Sequence, residues 1–261
     1  MFNKKTVRDT DLQNKRVLMR ADYNVPVKHG LITDDYRIRQ SVPTIRYILE
    51  QPGTKLVIVS HLGRPQGPQD VEADMEPVAI ALAELLGQEV RFVNECVGEQ
   101  VRKAVDSLEP GGVLMLQNVR YHPEEENNDP GFARQLAEDT KAEIFVQDGF
   151  GVVHRAHATT SAITKLLPSV SGLLLEKEVQ TITKVMHEPA KPVVAVVGGA
   201  GAAVGTTAAA VGTVALGGAA AIGGARAVGG ATLGALRAGT TMGSAASTAY
   251  KLGQETSGSP T

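Results

Sequence analysis

The chain has 261 residues, of which 43% are hydrophobic and 21% are charged, and its formal net charge is −2. This composition excludes general disorder and a strongly basic nucleic-acid-binding protein, and the length suits one large domain or two small ones. The single cysteine, Cys96, excludes an internal disulfide. The amino-terminal segment is polar and has no apolar stretch typical of a secretory signal, so a cytoplasmic protein is expected.

Short apolar runs alternate with helical patterns through the first part of the chain. The apolar runs predict strands over 16–25, 55–60, 89–93, 113–118 and 143–148. Helical spacing predicts helices over 37–50, 76–86, 98–108 and about 130–140. Since strands that alternate with helices are typical of a parallel α/β sheet, we expect about six strands within residues 1–170, with helices on both faces.

A different organisation is predicted after residue 170. The helical spacing of Leu175, Val179, Ile182 and Met186 predicts a long amphipathic helix over 172–188, which either packs on the sheet or bridges into a second domain. The predicted divisions are therefore 1–170, a helical segment 171–190, a strand 191–200, and a tail 201–261.

The composition changes abruptly between these parts. Residues 1–190 carry 22 basic and 27 acidic side chains, whereas residues 191–261 carry four and one. Roughly half of residues 200–261 are Gly or Ala. This composition predicts a flexible or poorly packed tail, because Gly and Ala bury little apolar area. A dinucleotide-type glycine turn over 193–211 and a membrane or self-association segment over 192–250 are the alternatives.

Polar residues follow several of the predicted strands. Because the carboxyl ends of parallel strands meet at one edge of a sheet, we expect these residues to lie close together. They are Asp22 and Asn24 after the first strand, His61 and Arg64 after the second, Arg120 after the fourth, and His154, Arg155 and His157 after the fifth, with Arg37 at the start of the first helix.

This gathering of guanidinium groups indicates a local anion, because residues 1–190 are net acidic as a whole. Arginine is suited to phosphate and carboxylate oxygens, which its planar fork meets bidentately. Asp22 and Asn24 add acceptors for hydroxyl groups. The pattern predicts a site for a small, hydroxylated, phosphorylated acid. No metal site is predicted, and the acidic run 124–126 is interpreted as a solvated turn.

Five motifs in this region resemble successive signatures of the phosphoglycerate kinase family. They are RADYNVP (20–26), ITDDYRI (32–38), SHLGRP (60–65), LQNVRYHPEEE (116–126) and DGFGVVHRAHATT (148–160). The segment GLLLEKEVQTITKVMHEPAKPVVAVVGGA (172–200) resembles the family's interdomain helix and the first strand of its nucleotide domain. The resemblance covers about residues 1–200.

The resemblance implies a monomeric glycolytic enzyme that reversibly transfers a phosphoryl group between 1,3-bisphosphoglycerate and ADP, with magnesium carried on the nucleotide. It implies that Asp22 and Asn24 hold the glycerate moiety of 3-phosphoglycerate, and that Arg37 is catalytic and stabilises the phosphoryl group in transfer. The other residues implied in substrate binding are Tyr23, His61, Leu62, Gly63, Arg64, Arg120, Gly151, His154 and Arg155.

The resemblance weakens in the tail. The positions of the family's two nucleotide-binding lysines are Gly201 and Gly205 here, and no further nucleotide-domain motif follows. We therefore expect this chain to have low or no kinase activity. The alternatives are a non-catalytic 3-phosphoglycerate-binding domain, and a derivative tethered to a membrane or partner through residues 192–250.

Overall fold

A six-stranded parallel sheet forms the centre of the domain in the computed structural model, which describes residues 4–188. The predicted strand 191–200, the tail, Gly201 and Gly205 lie outside the described residues. The strands are β1 (Arg16–Arg20), β2 (Val27–Lys28), β3 (Leu31–Ile32), β4 (Lys55–Val59), β5 (Val90–Val93), β6 (Val113–Leu116), β7 (Ile144–Gln147) and β8 (Ser169–Ser171). The order in the sheet is β5-β6-β4-β1-β7-β8, and β2 and β3 form a separate antiparallel hairpin.

The predicted helices are all present, with small differences at their ends. They are α1 (Tyr36–Leu49), α2 (Glu76–Leu86), α3 (Glu99–Asp106), α5 (Pro130–Asp139) and α6 (Leu173–His187), together with a short α4 (Pro123–Glu126). The start of α5 is explained by its first residues. The Asp129 carboxylate accepts a hydrogen bond from the Phe132 amide at 2.7 Å, and Pro130 has no N–H group that would need an acceptor there.

Helices cover both faces of the sheet, as the alternation of the pattern predicts. Successive residues of a strand point to opposite faces, so Val17 and Met19 of β1 pack in one apolar cluster with α1 and α2, whereas Leu18 packs in another with α3 and α5. The carboxyl ends of β1, β4, β6 and β7 consequently stay uncovered by these helices and open into the loops.

Two features of the first loop differ from the prediction. The strand predicted to reach residue 25 ends at Arg20, although Tyr23 and Val25 are also buried, because the chain there leaves the sheet and the Tyr23 amide donates to the Ser60 hydroxyl at 2.8 Å. The β2–β3 hairpin was not predicted. Its signal is the pair His29–Gly30, where both residues have positive φ angles, as a tight hairpin turn requires.

The long helix α6 begins at the carboxyl edge of the sheet, directly after β8, and packs against α1. Its first turn is bonded to Asp148, whose Oδ1 accepts from the Leu174 and Leu175 amides at 3.0 and 3.2 Å. No residue of α6 is fully buried, and Val185 and Met186 are each 52% exposed. Within residues 4–188, no helix combines the length and the apolar character needed to cross a membrane.

Candidate anion-binding site

Three of the predicted arginines line one cavity at the carboxyl edge of the sheet. We call this the arginine cavity; its volume is about 490 Å³. Its lining residues are Arg64, Pro65, Gln66, Arg120, Glu126, Arg155 and His157. The cations come from the loops after β4, β6 and β7, so residues far apart in sequence meet here because these strands are parallel and close in the sheet.

Arg120 is the most enclosed cation of the arginine cavity. Its side chain is 5% exposed, its Nη1 donates to the Gly63 carbonyl at 2.7 Å, and its Nε lies 3.0 Å from Glu126 Oε1. Its Nη2 is buried and has no hydrogen-bond partner. Burial lowers the pKa of Arg120, and the nearby Arg155 and Arg64 lower it further. A buried donor without an acceptor is costly, so this arrangement favours an anion in the cavity.

Asp22, Arg37 and Gly151 line a neighbouring cavity of about 580 Å³, which we call the Arg37 cavity. The Arg37 guanidinium forms an ion pair with the Asp22 carboxylate. Gly151 lies directly beside this pair, because a Cβ at this position would come within 2.3 Å of Asp22 Oδ2. The opposite wall is the first half of α6, including Lys177 and Glu178. Burial raises the pKa of Glu178, and nearby Asp22 raises it further.

Asn24 and His61 line neither cavity, but each lies close to a residue of the loops that form them. Asn24 Oδ1 accepts a hydrogen bond from the Gly63 amide at 2.9 Å, which ties the loop after β1 to the loop that carries Arg64. His61 Nδ1 lies 4.0 Å from Asp22 Oδ1. The predicted residues thus lie together at one edge, but in two adjoining compartments, which is an arrangement that an elongated ligand with an anionic group at each end would match.

Besides Asn24 and His61, four further predicted substrate-binding residues do not present a side chain to either cavity. Tyr23 is fully buried and its hydroxyl is 2.8 Å from Ser41 Oγ, while Leu62 packs in the apolar core. Gly63 contributes its main chain to Asn24 and Arg120. His154 is exposed, and partial burial and Arg155 lower its pKa. Substrate contacts of these four stay predictions, and for Tyr23 and Leu62 they would be main-chain contacts.

A buried charged network that the sequence reasoning missed lies beneath the arginine cavity. Arg20 is 1% exposed, its Nε donates to Thr159 Oγ1 at 2.8 Å, and its Nη2 lies 4.0 Å from Glu125 Oε1. The Glu125 carboxylate also accepts from the Thr159 amide at 2.9 Å and from its hydroxyl at 2.6 Å. The interpretation of 124–126 as a solvated turn is therefore wrong for Glu125, which is fully buried beside Arg20 at the end of β1.

The surroundings of His61 and His157 favour the neutral imidazole over the charged form. Burial lowers the pKa of His61, and Arg20, Arg120 and Arg155 lower it further; its Nδ1 lies 3.2 Å from Arg20 Nη2. Burial also lowers the pKa of His157, whose buried Nδ1 has no hydrogen-bond partner. These imidazoles offer hydrogen-bonding groups, and the arginines provide the positive charge.

In the described part of the chain, no group of three or more His, Cys, Asp or Glu side chains is arranged to hold a metal ion. The site's polar side chains include its arginines, His61, His157 and the Asp22–Arg37 pair. The fold and this edge define a parallel α/β domain with an arginine-lined cavity at the carboxyl ends of its strands.

The particular family follows from comparison with known proteins. The phosphoglycerate kinase family model matches residues 7–220, and the chain belongs to this family. The phosphoglycerate kinases of Moorella thermoacetica and Pelotomaculum thermopropionicum are 50% and 51% identical to it over 197 residues. These matches cover 76% of this chain but 49% of each relative, so the chain spans about half the length of the curated relatives it matches.

Solved structures of the same family share the fold. The match to phosphoglycerate kinase from Coxiella burnetii has a TM-score of 0.63 at 34% identity and covers 72% of this chain and 46% of that one. The match to the enzyme from Pyrococcus horikoshii has a TM-score of 0.65 at 30% identity and covers 72% and 47%. The expected α/β sheet flanked by helices is thereby confirmed for the described domain.

Proposed function

We propose that residues 4–188 form the acid-binding domain of a phosphoglycerate kinase and that this domain binds 3-phosphoglycerate or 1,3-bisphosphoglycerate. The observation that carries the proposal is Arg120, whose buried Nη2 lacks an acceptor in a cavity that it shares with Arg64 and Arg155. A phosphate group supplies several strong acceptor oxygens at once, and arginine forks bind it bidentately.

The two compartments suggest how the acid lies. The 3-phosphate occupies the arginine cavity, and the carboxyl end reaches the Arg37 cavity. Asp22 in that cavity, together with Asn24 of the same loop, accepts hydrogen bonds from the glycerate hydroxyl. Arg37 then stabilises the phosphoryl group in transfer, a role in which positioning and charge neutralisation are sufficient and no covalent intermediate is needed. The Asp22–Arg37 ion pair holds the guanidinium at this end before the acid binds.

The nucleotide belongs to the other half of the reaction. In the proposed family reaction it is the magnesium complex of ADP or ATP, and the positions expected to bind it, Gly201 and Gly205, lie outside the described residues. Neither position has a side chain that could reach a phosphate. We therefore propose that this chain binds the acid and has low or no phosphoryl-transfer activity by itself, and a cytoplasmic location stays a prediction.

Isothermal titration of the purified chain tests the proposal. We expect 3-phosphoglycerate to bind and magnesium ADP not to bind. We expect Arg155→Gln to weaken acid binding by about 10- to 100-fold, since a hydrogen bond to a charged group contributes about 1.5–3 kcal/mol. Arg134→Gln is the matched control, because Arg134 is an exposed arginine of α5 that lines neither cavity. Its affinity should equal that of the parent chain.

The outcomes separate the competing functions. Binding of both ligands would show that a nucleotide site exists in the chain, and the prediction of low activity would be wrong. Equal loss of affinity in Arg155→Gln and Arg134→Gln would mean that the acid is attracted by overall charge and does not occupy the arginine cavity. No binding of the acid by the folded parent chain would reject the proposed function.

Gly151 gives a second test, of the Arg37 cavity. In Gly151→Ala the added Cβ must displace the Asp22 carboxylate, because it would otherwise lie 2.3 Å from Oδ2. That carboxylate is the end of a movable side chain, so the domain should stay folded while the Asp22–Arg37 pair is disturbed. We expect affinity for 3-phosphoglycerate to fall about tenfold by misplacement of the pair.

The control for this substitution is Gly131→Ala at the start of α5, away from both cavities. It should leave the affinity unchanged. If titration shows the same affinity for Gly151→Ala and the parent chain, the Asp22–Arg37 pair does not contact the acid.

A further inference from the structure

Asn118 joins the two ends of the segment that carries Arg64. This segment, residues 62–73, runs between β4 and α2, and we call it the Arg64 loop. The Asn118 side chain is fully buried, and its Nδ2 donates to the Leu62 carbonyl and to the Ala73 carbonyl, each at 2.8 Å. One amide group therefore binds both ends of the loop.

The same side chain also sets the start of the segment that carries Arg120. Asn118 Oδ1 accepts from the Arg120 amide at 3.1 Å and caps a short 3₁₀ helix, Val119–Tyr121. Arg120 in turn donates from Nη1 to the Gly63 carbonyl within the Arg64 loop. These three hydrogen bonds of the Asn118 side chain thus act on the relative position of the Arg64 loop and Arg120.

Asn118 itself does not line the arginine cavity. We propose that Asn118 is a positioning residue for the anion site, which holds the Arg64 loop against Arg120 so that both guanidinium groups converge on one phosphate. This inference rests on the proposed acid-binding function. The physical reason is that Arg64 is exposed, so its place in the cavity depends on where the ends of its loop are held. Without the amide, the loop must be ordered by the ligand, which weakens binding.

Two variants test the inference by titration with 3-phosphoglycerate at a temperature where circular dichroism shows the folded state. Asn118→Ser keeps an acceptor that can cap the Arg120 amide and loses both donors to the loop, whereas Asn118→Ala loses all three bonds. We expect affinity about tenfold lower in both variants. If Asn118→Ala does not fold, Asn118→Ser carries the test.

The control is Thr54→Val, which removes another buried hydrogen bond, from Thr54 Oγ1 to the Leu12 carbonyl at 2.6 Å. Thr54 immediately precedes β4 and lies at the opposite edge of the sheet from the site. We expect it to lower stability and leave the affinity unchanged. An unchanged affinity in the Asn118 variants, or an equal loss in Thr54→Val, would overturn the inference.

A double-mutant cycle distinguishes positioning from general destabilisation. If Asn118 acts through Arg64, then Asn118→Ser, which keeps an acceptor for the Arg120 amide, should weaken binding by less than about twofold in an Arg64→Ala background, because coupled residues are not additive. A full tenfold loss in that background would show that Asn118 does not act through Arg64, and the inference would fail.

Hydrogen exchange separates failure of this inference from failure of the proposed function. The Asp70 and Ala73 amides are bonded within the Arg64 loop, to the Gly67 and Asp70 carbonyls. They should exchange faster in both Asn118 variants and at the parental rate in Thr54→Val, with no ligand present. Parental exchange rates in the Asn118 variants would overturn the inference. If exchange is faster in the Asn118 variants but the parent chain binds no acid, Asn118 holds the Arg64 loop and the proposed acid site is rejected.

Discussion

Glu125→Gln should lower the free energy of unfolding by about 3 kcal/mol, because removal of one partner leaves the buried charge of Arg20 unpaired. Both side chains are almost completely buried, and Glu125 Oε1 lies 4.0 Å from Arg20 Nη2. The substitution keeps the shape of the side chain but only one acceptor oxygen, so one of the two hydrogen bonds from Thr159 is lost together with the charge. Chemical denaturation followed by circular dichroism measures it.

The neighbouring Glu124 provides a matched control. It lies on the same short helix, α4, and is exposed. Glu124→Gln should change the free energy of unfolding by less than about 0.5 kcal/mol, as surface substitutions usually do. If the two variants are equally stable, Glu125 is not the counter-charge of Arg20 and the buried network does not support the site.

Asp148→Asn should have the opposite effect at neutral and higher pH and stabilise the domain. Asp148 is 1% exposed; Oδ1 accepts from the first turn of α6, and Oδ2 is buried without a hydrogen-bond partner. Burial raises the pKa of this carboxyl from its ordinary value of 3.8 to about 7, against the lowering effect of Thr44 and the helix amides. Asn retains an acceptor for α6 and carries no charge.

The direction of the pH dependence follows from this raised pKa. The folded state binds the proton more tightly than the unfolded state, so the contribution to stability is fully present below about pH 4 and is lost as the pH rises through about 7. Since a tenfold change in an ionisation constant corresponds to about 1.4 kcal/mol, the rise from 3.8 to about 7 sets an upper limit of about 4 kcal/mol.

Denaturation curves between pH 4 and pH 9 measure the difference between Asp148→Asn and the parent chain. The difference should be near zero at pH 4 and grow in favour of the variant up to about pH 8. Taking the difference cancels the contributions of the buried histidines, which both chains share. Asp139→Asn is the control, because the Asp139 carboxylate is paired with Arg102 at 2.6 Å, and this variant should be destabilised at pH 7. A constant difference across the pH range would contradict the assignment to Asp148.

The main elements could be predicted because burial repeats along the chain with the period of each element. Leu18 and its neighbours alternate between two apolar clusters, and the helix predicted over 76–86 is observed as Glu76–Leu86. The hairpin β2–β3 and the three-residue strand β8 are too short for such a pattern to develop. A buried loop also resembles a strand in sequence, which explains why the first strand was predicted to continue past Arg20.

The sequence pattern predicted part of the candidate site but not its internal arrangement. Arg64, Arg120 and Arg155 could be assigned to one edge because each follows a parallel strand, and the structure brings them into one cavity. The division into two compartments could not be predicted, because Arg37 and Asp22 face α6, whose position depends on how its first turn binds Asp148.

The sequence by itself determined the α/β class, the helix and strand order, the family and the gathering of cations at one edge. Those properties depend on local periodicity and on the direction of each strand. Only the tertiary structure decided that Glu125 is buried beside Arg20 and that Asn118 binds both ends of the Arg64 loop. These contacts join residues from separate crossovers of the sheet. A charge or an amide affects stability or binding strongly only where it is buried, and this burial arises only when the crossovers pack together.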